Sequence, residues 1–198
     1  MADERGYERI EAEILGQRVV LETRRGLFSP ERVDRGTLAM LQHVHIAPGM
    51  RIMDLGCGCG VVGIAAAKIA GEENVFLSDV DPAAVETARR NAERNGVGGV
   101  RIFLSDGFRD VDAAGFDLIL SNPPYQTDFS VAKGFIEKGF NRLKIGGRLY
   151  MVTKRREWYR NKLISVFGGV ELRETDGYYV FSAERRGLRY ANKSPKRG

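Results

Sequence analysis

A short apolar run ends in an acid and opens into a glycine-rich turn in Arg51-Ile-Met-Asp-Leu-Gly-Cys-Gly-Cys-Gly60. The residues that follow include a helical pattern, Ile64-Ala-Ala-Ala-Lys-Ile-Ala70. A strand, a tight loop and a helix N-terminus in this order are typical of the start of a nucleotide-binding α/β unit. Gly56, Gly58 and Gly60 allow positive φ angles and let a ligand approach the backbone with no Cβ in between.

Two kinds of ligand suit this loop. The spacing Gly58-x-Gly60-x-x-Gly63 matches the dinucleotide fingerprint, in which a pyrophosphate sits on the helix N-terminus. Asp54 argues against that ligand, because a carboxylate at the end of the strand repels a pyrophosphate and attracts a cation. S-adenosylmethionine carries an ammonium, a sulfonium and a carboxylate, so it suits an acid beside a ring of backbone N–H groups. The loop therefore predicts S-adenosylmethionine as the cofactor.

The composition is that of one globular domain. The chain has 198 residues, of which 43% are hydrophobic and 29% are charged, with a net charge of +5 and a pI near 9.3. A basic surplus of this size fits a polyanionic partner such as nucleic acid, and it also fits a simple solubility feature. The N-terminus lacks a signal-peptide core, and no apolar run approaches the ~20 residues of a membrane span. We therefore expect a cytoplasmic protein with no membrane partner.

The cysteines and histidines do not form a metal-binding pattern. Cys57 and Cys59 are too close together for an easy disulfide and offer a metal ion only two ligands. His43 and His45 occupy alternate positions, which do not share a helix face. We expect small loop residues and packing residues here, no metal, and a reducing compartment.

Strands and helices alternate from Met50 onward. The periodicity predicts strands over 50–55, 74–79, 100–104, 117–121 and 148–153, helices over 60–70, 82–95, 130–143 and 156–167, and a final hairpin over 170–175 and 178–183. Asp81 is the expected N-cap of the second helix and Gly96 its C-cap, while Asp176-Gly177 is a strong hairpin turn. Alternating β and α units indicate a mostly parallel seven-stranded sheet with one antiparallel strand and helices on both faces.

The flanking segments are less regular. Residues 1–16 form a charged, amphipathic lead-in, and 17–24 and 26–29 are expected to be two short strands around an Arg25-Gly26 turn. A helix then begins near Val33 and stops at Pro48-Gly49. We divide the chain into an N-terminal extension (1–49) packed on a core (50–184), followed by a frayed basic tail (185–198).

Ligands of open α/β sheets bind at the carboxyl ends of the strands, so the residues at those ends are the candidate ligand contacts. Asp79 ends the second strand of the alternating region and can accept both hydroxyls of a ribose, while Val80 is placed to contact an adenine. Asp106 follows the third strand and can accept from an adenine amino group, with Gly107 beside it and Phe108 packing against the ring. The predicted cofactor residues of the strand ends are thus Asp54, Gly56, Cys57, Gly58, Gly60, Asp79, Val80, Asp106, Gly107 and Phe108, with Asn122 of the next strand end.

The fourth strand end carries Asn122-Pro-Pro-Tyr125. Two prolines fix the backbone and remove two N–H donors. The amide oxygen of Asn122 and the backbone oxygen of Pro123 can then accept the two hydrogens of a planar NH₂ group, which aligns the nitrogen lone pair with a sulfonium methyl. With Pro124 holding the turn and Tyr125 stacking on the group that bears the amine, these four residues are the predicted catalytic site.

Two motifs resemble known methyltransferase sequences. Asp54-Leu-Gly-Cys-Gly-Cys-Gly60 is similar to motif I of the class I S-adenosylmethionine-dependent methyltransferases, and Asn122-Pro-Pro-Tyr125 is similar to motif IV of the amino-group methyltransferases, which act on adenine, guanine or glutamine amide nitrogens. Residues 17–37 and the terminal hairpin resemble the "methyltransferase small domain" family, which includes ribosomal-RNA guanine-N2 methyltransferases of the small subunit. The resemblance implies a Rossmann-like fold, guanine N2 of ribosomal RNA as the target, and a cofactor pocket near Asp34, Gly36 and Thr37.

A basic segment with aromatic residues follows the fifth strand of the core. It contains five basic residues and two aromatic ones in Lys154-Arg-Arg-Glu-Trp-Tyr-Arg-Asn-Lys162. Phosphate contacts by Lys154, Arg155 and Arg156 and base stacking by Trp158 would suit an RNA substrate. The alternative is a solvated helix face with the tryptophan packed beneath it.

Other activities fit parts of the same pattern. A protein glutamine methyltransferase of the release-factor type uses the same Asn-Pro-Pro-Tyr, although such enzymes resemble this chain only in the core and begin with a helical domain. An adenine-N6 methyltransferase is a further alternative. A catalytically silent, S-adenosylmethionine-binding RNA module is the alternative without catalysis, and a nicotinamide dehydrogenase is the least favoured. We predict a methyltransferase that acts on an RNA amine, with no prediction for the oligomeric state.

Overall fold

The computed structural model describes residues 7–24, 33–124 and 129–191. Within these ranges it contains nine strands and five α-helices. The strands are β1 (Tyr7–Ile14), β2 (Gln17–Arg24), β3 (Ile52–Leu55), β4 (Val75–Asp79), β5 (Arg101–Leu104), β6 (Phe116–Ser121), β7 (Leu143–Thr153), β8 (Glu171–Thr175) and β9 (Tyr178–Glu184). The helices are α1 (Arg35–Leu41), α2 (Val61–Ala70), α3 (Pro82–Arg94), α4 (Ser130–Arg142) and α5 (Arg156–Phe167).

Seven strands form one mixed sheet in the order β5-β4-β3-β6-β7-β9-β8. β9 pairs antiparallel with both of its neighbours, and the other pairs are parallel. The predicted sheet class is therefore confirmed, with its single antiparallel strand in the terminal hairpin. The chain enters at β3, extends outward to β5, and returns to the opposite side of β3 as β6. Such a reversal opens a crevice at the carboxyl ends of the strands.

The alternation of side chains along the strands divides the core between the two faces of the sheet. On β3, Ile52 packs on the side of α1, α2 and α3, whereas Met53 and Leu55 pack on the side of α4 and α5. Gly63 lets α2 lie very close to the sheet, since a Cβ at this position would be 2.6 Å from the Leu77 side chain. This close packing fixes the N-terminal end of α2 above the crevice.

Capping and turn residues predicted from the sequence lie at the ends of several helices and strands. Asp81 caps α3 by accepting from the Ala83 N–H (2.8 Å), which confirms its predicted role. The helix closes at Asn95, and Gly96 lies one residue further on, with φ of 70°. Asp176 and Gly177 both have positive φ and join β8 to β9 as predicted.

The N-terminal segment was predicted only in part: β2 has the predicted bounds 17–24, but the residues before it form a strand that was not predicted. β1 and β2 pair over their full length around a turn at Leu15-Gly16, both with positive φ, so half of the expected lead-in is a strand. The expected turn at Arg25-Gly26 and the strand 26–29 lie outside the described residues. β1 alternates apolar Ile10, Ala12 and Ile14 with charged neighbours, and this period of two is the signal of a strand with one buried face.

The start of the basic tail is not frayed. Arg185 packs over the Phe140 ring and donates to the backbone oxygen of Leu143, while the Tyr190 hydroxyl donates to the Glu137 backbone oxygen (2.9 Å). Residues 185–191 therefore dock against α4 and α5, and the remainder of the tail lies outside the described residues. No helix in 7–24, 33–124 or 129–191 combines the length and apolar character needed to span a membrane.

Candidate functional site

A cavity of about 310 Å³ lies at the crevice beside β3. Its walls come from the carboxyl ends of β3, β4, β5 and β6, the N-termini of α1 and α2, the start of α4 and the β1–β2 hairpin. Eleven of the predicted site residues line it: Thr37, Asp54, Gly56, Cys57, Gly58, Asp79, Val80, Asp106, Gly107, Asn122 and Pro124. Residues from four strands meet here because parallel strands end at the same edge of a sheet.

Asp54 lies at the floor of the cavity, where it is almost completely buried. Its Oδ2 accepts from the Gly63 N–H (3.0 Å) in the first turn of α2. Burial raises the pKa of Asp54 to about 7; the Gly63 hydrogen bond opposes this shift and the nearby Asp79 charge adds to it. A positively charged ligand would restore the ionised form of this carboxyl group.

The glycine loop is held by its neighbours in the sheet. The N–H groups of Gly56 and Cys57 both donate to the Ser78 backbone oxygen, at 2.9 and 3.0 Å. Gly58 has a φ of 55° and donates to Asp79 Oδ2 (2.9 Å). Gly60 has a φ of 86° and is the N-cap of α2, where an added Cβ would lie 3.1 Å from Ala88 Cβ. It is absent from the cavity lining, so its contact with the cofactor stays a prediction.

Asp79 presents its carboxylate to the cavity from the end of β4. One oxygen accepts from Gly58 N–H and the other from the Asp81 N–H (3.0 Å). Each carboxylate oxygen has a second lone pair, so the group can still accept from the two hydroxyls of a ribose. Val80 follows, 70% exposed, at the mouth of the cavity.

The loop after β5 supplies Asp106 and Gly107 to the cavity, but Phe108 points away from it. Phe108 is 3% exposed and packs against Phe116 in the core on the α4 side. The prediction that it contacts the cofactor ring is wrong, because the chain turns at Gly107 (φ 63°) and directs the next side chain inward. Phe135 of α4 lines the cavity in its place and lies 3.0 Å from where a Gly107 Cβ would be.

Asn122 follows β6 directly, and its amide is held by two residues at the start of α1. The Asn122 Nδ2 group donates to Asp34 Oδ1 (2.7 Å) and to Thr37 Oγ1 (3.1 Å). Both amide hydrogens are therefore used, and Oδ1 is the atom left for a ligand in the cavity. Ser121 secures the strand end by donating to the Leu55 backbone oxygen (2.9 Å).

The other three residues of the predicted catalytic tetrapeptide differ in their position relative to the cavity. Pro124 lines the cavity, whereas Pro123 is buried and is absent from its lining. Tyr125 lies outside the described residues, so its stacking role stays a prediction.

Neither loop cysteine is activated. Burial raises the pKa of the Cys57 thiol well above its usual range and raises that of Cys59 to about 11. Both are free thiols that stay protonated at neutral pH. In the part of the chain that the structure describes, no three His, Cys, Asp or Glu side chains are grouped as a metal site would require.

The basic segment lies outside the cavity lining, beside an aromatic pair. Trp158 stacks on Phe129 with ring centroids 4.2 Å apart and an angle of 11° between the rings, and Phe129 lies two positions before the cavity residue Val131. Arg155 lies over the other ring of this pair, 5.0 Å from the Phe129 centroid. Trp158 is half-buried, so it both packs and contributes to the surface.

The three predicted basic contacts do not share one face. Lys154 lies over the Tyr178 ring and Arg156 over the Tyr179 ring, at 5.0 and 6.0 Å from the ring centroids. Both side chains are exposed, as is that of Arg155. They surround the start of α5 at the carboxyl end of β7. This is the same edge of the sheet at which the cavity lies.

The hairpin is a part of the cavity wall that the sequence did not reveal. Ile10, Leu21 and Thr23 line the cavity beside the glycine loop. Asn91 of α3 and the C-cap residue Asn95 bind the free edge of β2 as a neighbouring strand would. Asn95 exchanges two hydrogen bonds with the backbone of Val20 (2.9 and 2.7 Å).

Asn91 completes this attachment one turn earlier on α3. It is fully buried and exchanges hydrogen bonds with the backbone of Glu22 (2.7 and 2.9 Å). Its Nδ2 also donates to the Cys59 backbone oxygen (2.9 Å). The hairpin and the glycine loop are thus tied to the same side chain. The spacing of two amides four residues apart was the available signal, but a surface face of α3 produces the same pattern.

Comparisons with known proteins place the chain among methyltransferases. The family model "Methyltransferase small domain" matches residues 18–182. Ribosomal RNA small subunit methyltransferase C of Pseudomonas entomophila is 33% identical over 165 residues, which cover 81% of this chain and 49% of that protein. The Bacillus subtilis protein YbxB is 33% identical over 168 residues, which cover 81% of this chain and 83% of that one. The chain thus spans about half the length of the first of these relatives and most of the second.

The fold is shared with a solved structure of similar sequence. The T. thermophilus 16S rRNA N2 methyltransferase RsmC, solved in complex with AdoMet and guanosine, matches with a TM-score of 0.82 and 26% identity. The match covers 91% of this chain and 51% of that one.

Proposed function

Because the chain belongs to the methyltransferase small domain family, we propose that it is an S-adenosylmethionine-dependent methyltransferase whose target is an exocyclic amine of RNA, namely N2 of a guanine in ribosomal RNA. The observation that carries this proposal is the amide of Asn122, whose two hydrogens are bound by the protein and whose oxygen is left for the cavity. An oxygen acceptor in this position selects a substrate that donates, as an amine does.

The residues of the cavity fit the cofactor. Asp54 and Asp79 supply two carboxylates to a ligand with two positive centres, and Asp79 can also accept from ribose hydroxyls. Asp106 and Val80 lie where an adenine could be bound between polar and apolar contacts. The chemistry that the cofactor supplies when bound is an electrophilic methyl group on a positively charged sulfur.

The protein contributes position and electrostatics to the reaction. Asn122 Oδ1 accepts one amine hydrogen and orients the nitrogen, so no strong base has to act before the attack. The second acceptor predicted from the sequence, the backbone oxygen of Pro123, belongs to a buried residue outside the cavity lining, so its role stays a prediction. The carboxylates of buried Asp54 and partly exposed Asp79 favour a cationic ligand. Tyr125 is expected to stack on the target base.

RNA is the substrate class supported both by the named relatives and by the exposed basic residues near the cavity. The relative from P. entomophila is named for ribosomal RNA, and the T. thermophilus structure contains guanosine. Lys154, Arg155 and Arg156 are exposed on the cavity side of the sheet, and Trp158 offers an aromatic surface beside them. The target base has to be unpaired or flipped out of its helix, at a cost of a few kcal/mol. We place this reaction in the cytoplasm, with ribosomal RNA.

The test is transfer of a labelled methyl group from S-adenosylmethionine to ribosomal RNA, transfer RNA and total protein prepared from cells that lack this protein. We expect label in ribosomal RNA and N2-methylguanosine after digestion to nucleosides and mass spectrometry. N6-methyladenosine would replace the proposed base, and label in protein glutamine would replace the substrate class. Cofactor binding with label in no fraction, assembled ribosomal subunits included, would refute the activity and favour a silent binding module.

A further inference from the structure

We propose that Asp34 is a positioning residue that makes the site selective for an amine, by fixing the direction of the Asn122 amide and polarising it. This inference rests on the proposed function, because it assigns Asp34 and Thr37 a task in the same reaction. Neither residue is expected to touch the substrate amine. Their effect on the reaction passes through Asn122.

The three side chains form a closed hydrogen-bonded ring. Asp34 Oδ1 accepts from the Thr37 backbone N–H (2.9 Å) and from Asn122 Nδ2 (2.7 Å). Thr37 Oγ1 accepts the second amide hydrogen of Asn122 (3.1 Å). Asp34 is the N-cap of α1 and Thr37 lies in its first turn, whereas Asn122 follows β6. The ring therefore joins two elements through residues that are 88 positions apart in the sequence. All three residues line the cavity.

The direction of this amide decides what the site can bind. The two ends of an asparagine amide have nearly the same shape, but one accepts hydrogen bonds and the other donates them. If Nδ2 faced the cavity, it would pair with a carbonyl oxygen or a ring nitrogen and would repel the hydrogens of an amine. The ring around Asp34 opposes that rotation, because turning the amide would place the carboxylate oxygen of Asp34, which can only accept, against Asn122 Oδ1.

The charge of Asp34 adds a second effect. A hydrogen bond to a carboxylate polarises the amide and makes its oxygen a stronger acceptor. As the amine attacks, positive charge develops on its nitrogen, and Asn122 Oδ1 is the group that faces it. The strengthened acceptor therefore stabilises the transition state more than the ground state.

A simpler role for Asp34 is that of an N-cap. It accepts from the N–H of Thr37, and a serine at this position would still cap α1. The serine hydroxyl is on a shorter side chain, so it cannot also hold Asn122. Asparagine keeps a carbonyl oxygen for both hydrogen bonds and loses only the charge. Asp34→Ser and Asp34→Asn thus separate the cap from the positioning role.

The experiment compares these two variants with wild type in three measurements. Thermal unfolding reports the cap, calorimetric titration with S-adenosylmethionine reports the cofactor site, and single-turnover transfer to ribosomal RNA reports the reaction. We expect Asp34→Ser to melt within a few degrees of wild type and to bind the cofactor within about threefold, but to transfer methyl about 10- to 100-fold more slowly. Asp34→Asn is expected to recover most of that loss.

Nuclear magnetic resonance of the Asn122 side chain gives a readout that needs no turnover. In protein labelled with ¹⁵N-asparagine, the signals of this amide are assigned by their loss in Asn122→Ala. We expect them to exchange slowly with water in wild type and in Asp34→Asn, and to exchange rapidly in Asp34→Ser. Thr37→Val, which removes one of the two acceptors, is expected to have an intermediate effect and serves if Asp34→Ser fails to fold.

Two results would overturn the inference: a wild-type transfer rate in Asp34→Ser, or unchanged exchange of the Asn122 amide in that variant. A transfer rate of Asp34→Asn as low as that of Asp34→Ser, with normal amide protection, would refute positioning by hydrogen bonds and leave the charge alone as the cause. If wild type modifies no guanine, the proposed function fails, and the exchange measurement still decides whether Asp34 orients the amide.

Discussion

Acidification should weaken cofactor binding by neutralising Asp54. This carboxyl lies at the floor of the cavity, accepts one hydrogen bond from Gly63, and has a pKa raised to about 7 by burial. S-adenosylmethionine carries a net positive charge in its bound form, so it should bind the ionised protein in preference to the protonated one. Binding below neutral pH must therefore release a proton from Asp54.

The size of the effect follows from the titration. With a pKa of about 7, roughly 90% of Asp54 is ionised at pH 8 and roughly 9% at pH 6. If only the ionised form binds, the dissociation constant rises about tenfold over this range, which corresponds to about 1.4 kcal/mol. The number of protons released on binding rises from about 0.1 at pH 8 to about 0.9 at pH 6.

Calorimetry measures both quantities. Titrations at pH 6, 7 and 8 in buffers of different ionisation enthalpy give the affinity and the number of protons released. Asp54→Asn is the matched control, because it keeps an oxygen for the Gly63 N–H and removes the titrating group. We expect its affinity to be weaker than that of wild type at pH 8 and almost independent of pH. Equal wild-type affinity at pH 6 and pH 8, without proton release, would refute the reasoning.

The same residue has the opposite effect on the stability of the cofactor-free protein. The pKa of Asp54 is higher in the folded state (about 7) than its ordinary 3.8, so between these values the folded state binds more protons than the unfolded one. The contribution of Asp54 to stability is therefore most favourable below pH 4, falls as the pH rises toward 7, and is less favourable by up to about 4 kcal/mol above it. Asp54→Asn should accordingly raise the melting temperature at pH 8.

Three further predictions follow from other contacts. Asn122→Ala should lower methyl transfer to below about 1% of wild type in a single-turnover assay, while calorimetric cofactor affinity stays within about threefold; near-normal transfer would contradict the amine clamp. Asn91→Ala should lower the free energy of unfolding by about 3 kcal/mol in denaturant and weaken cofactor binding, because it also removes the hydrogen bond to the Cys59 carbonyl. Asn95→Ala should lower the free energy of unfolding by about 2 kcal/mol and leave the cofactor affinity unchanged. Equal cofactor affinities in the two variants would show that the Asn91–Cys59 hydrogen bond does not support the cofactor loop. Trp158→Ala should raise the KM for ribosomal RNA about tenfold with little change in kcat, and Trp158→Phe should retain most of the affinity; an unchanged KM would leave the tryptophan a packing residue.

Most of the cofactor cavity was predictable because parallel sheets obey a simple rule. Asp54, Asp79, Asp106 and Asn122 each lie at or within two residues of the carboxyl end of a predicted strand, and the alternation of strands and helices brings those strand ends to one edge. The inference needed only the order of elements and the residues at the end of each strand. It required no knowledge of side-chain directions.

Side-chain directions are where the prediction failed. Phe108 and Phe135 are both aromatic residues near the predicted site, and sequence proximity favoured Phe108. The positive φ of Gly107 turns the chain, so Phe108 enters the core, and Phe135 reaches the cavity from a helix whose apolar face is otherwise core. A loop of three residues carries no periodicity from which such a reversal could be predicted.

The contacts that complete the site join residues far apart in the sequence, and this changes what the N-terminal extension means. Asp34 and Thr37 hold Asn122, and the hairpin that lines the cavity is tied to α3 through Asn91. All of these partners on the N-terminal side precede residue 50, where the core sheet begins. Under the proposed function, the core would supply the carboxylates for the cofactor, and the extension would direct the amide that faces the amine. Our proposal for Asp34 therefore makes amine selectivity a joint property of both segments, because Asp34 and Thr37 bind both hydrogens of the Asn122 amide.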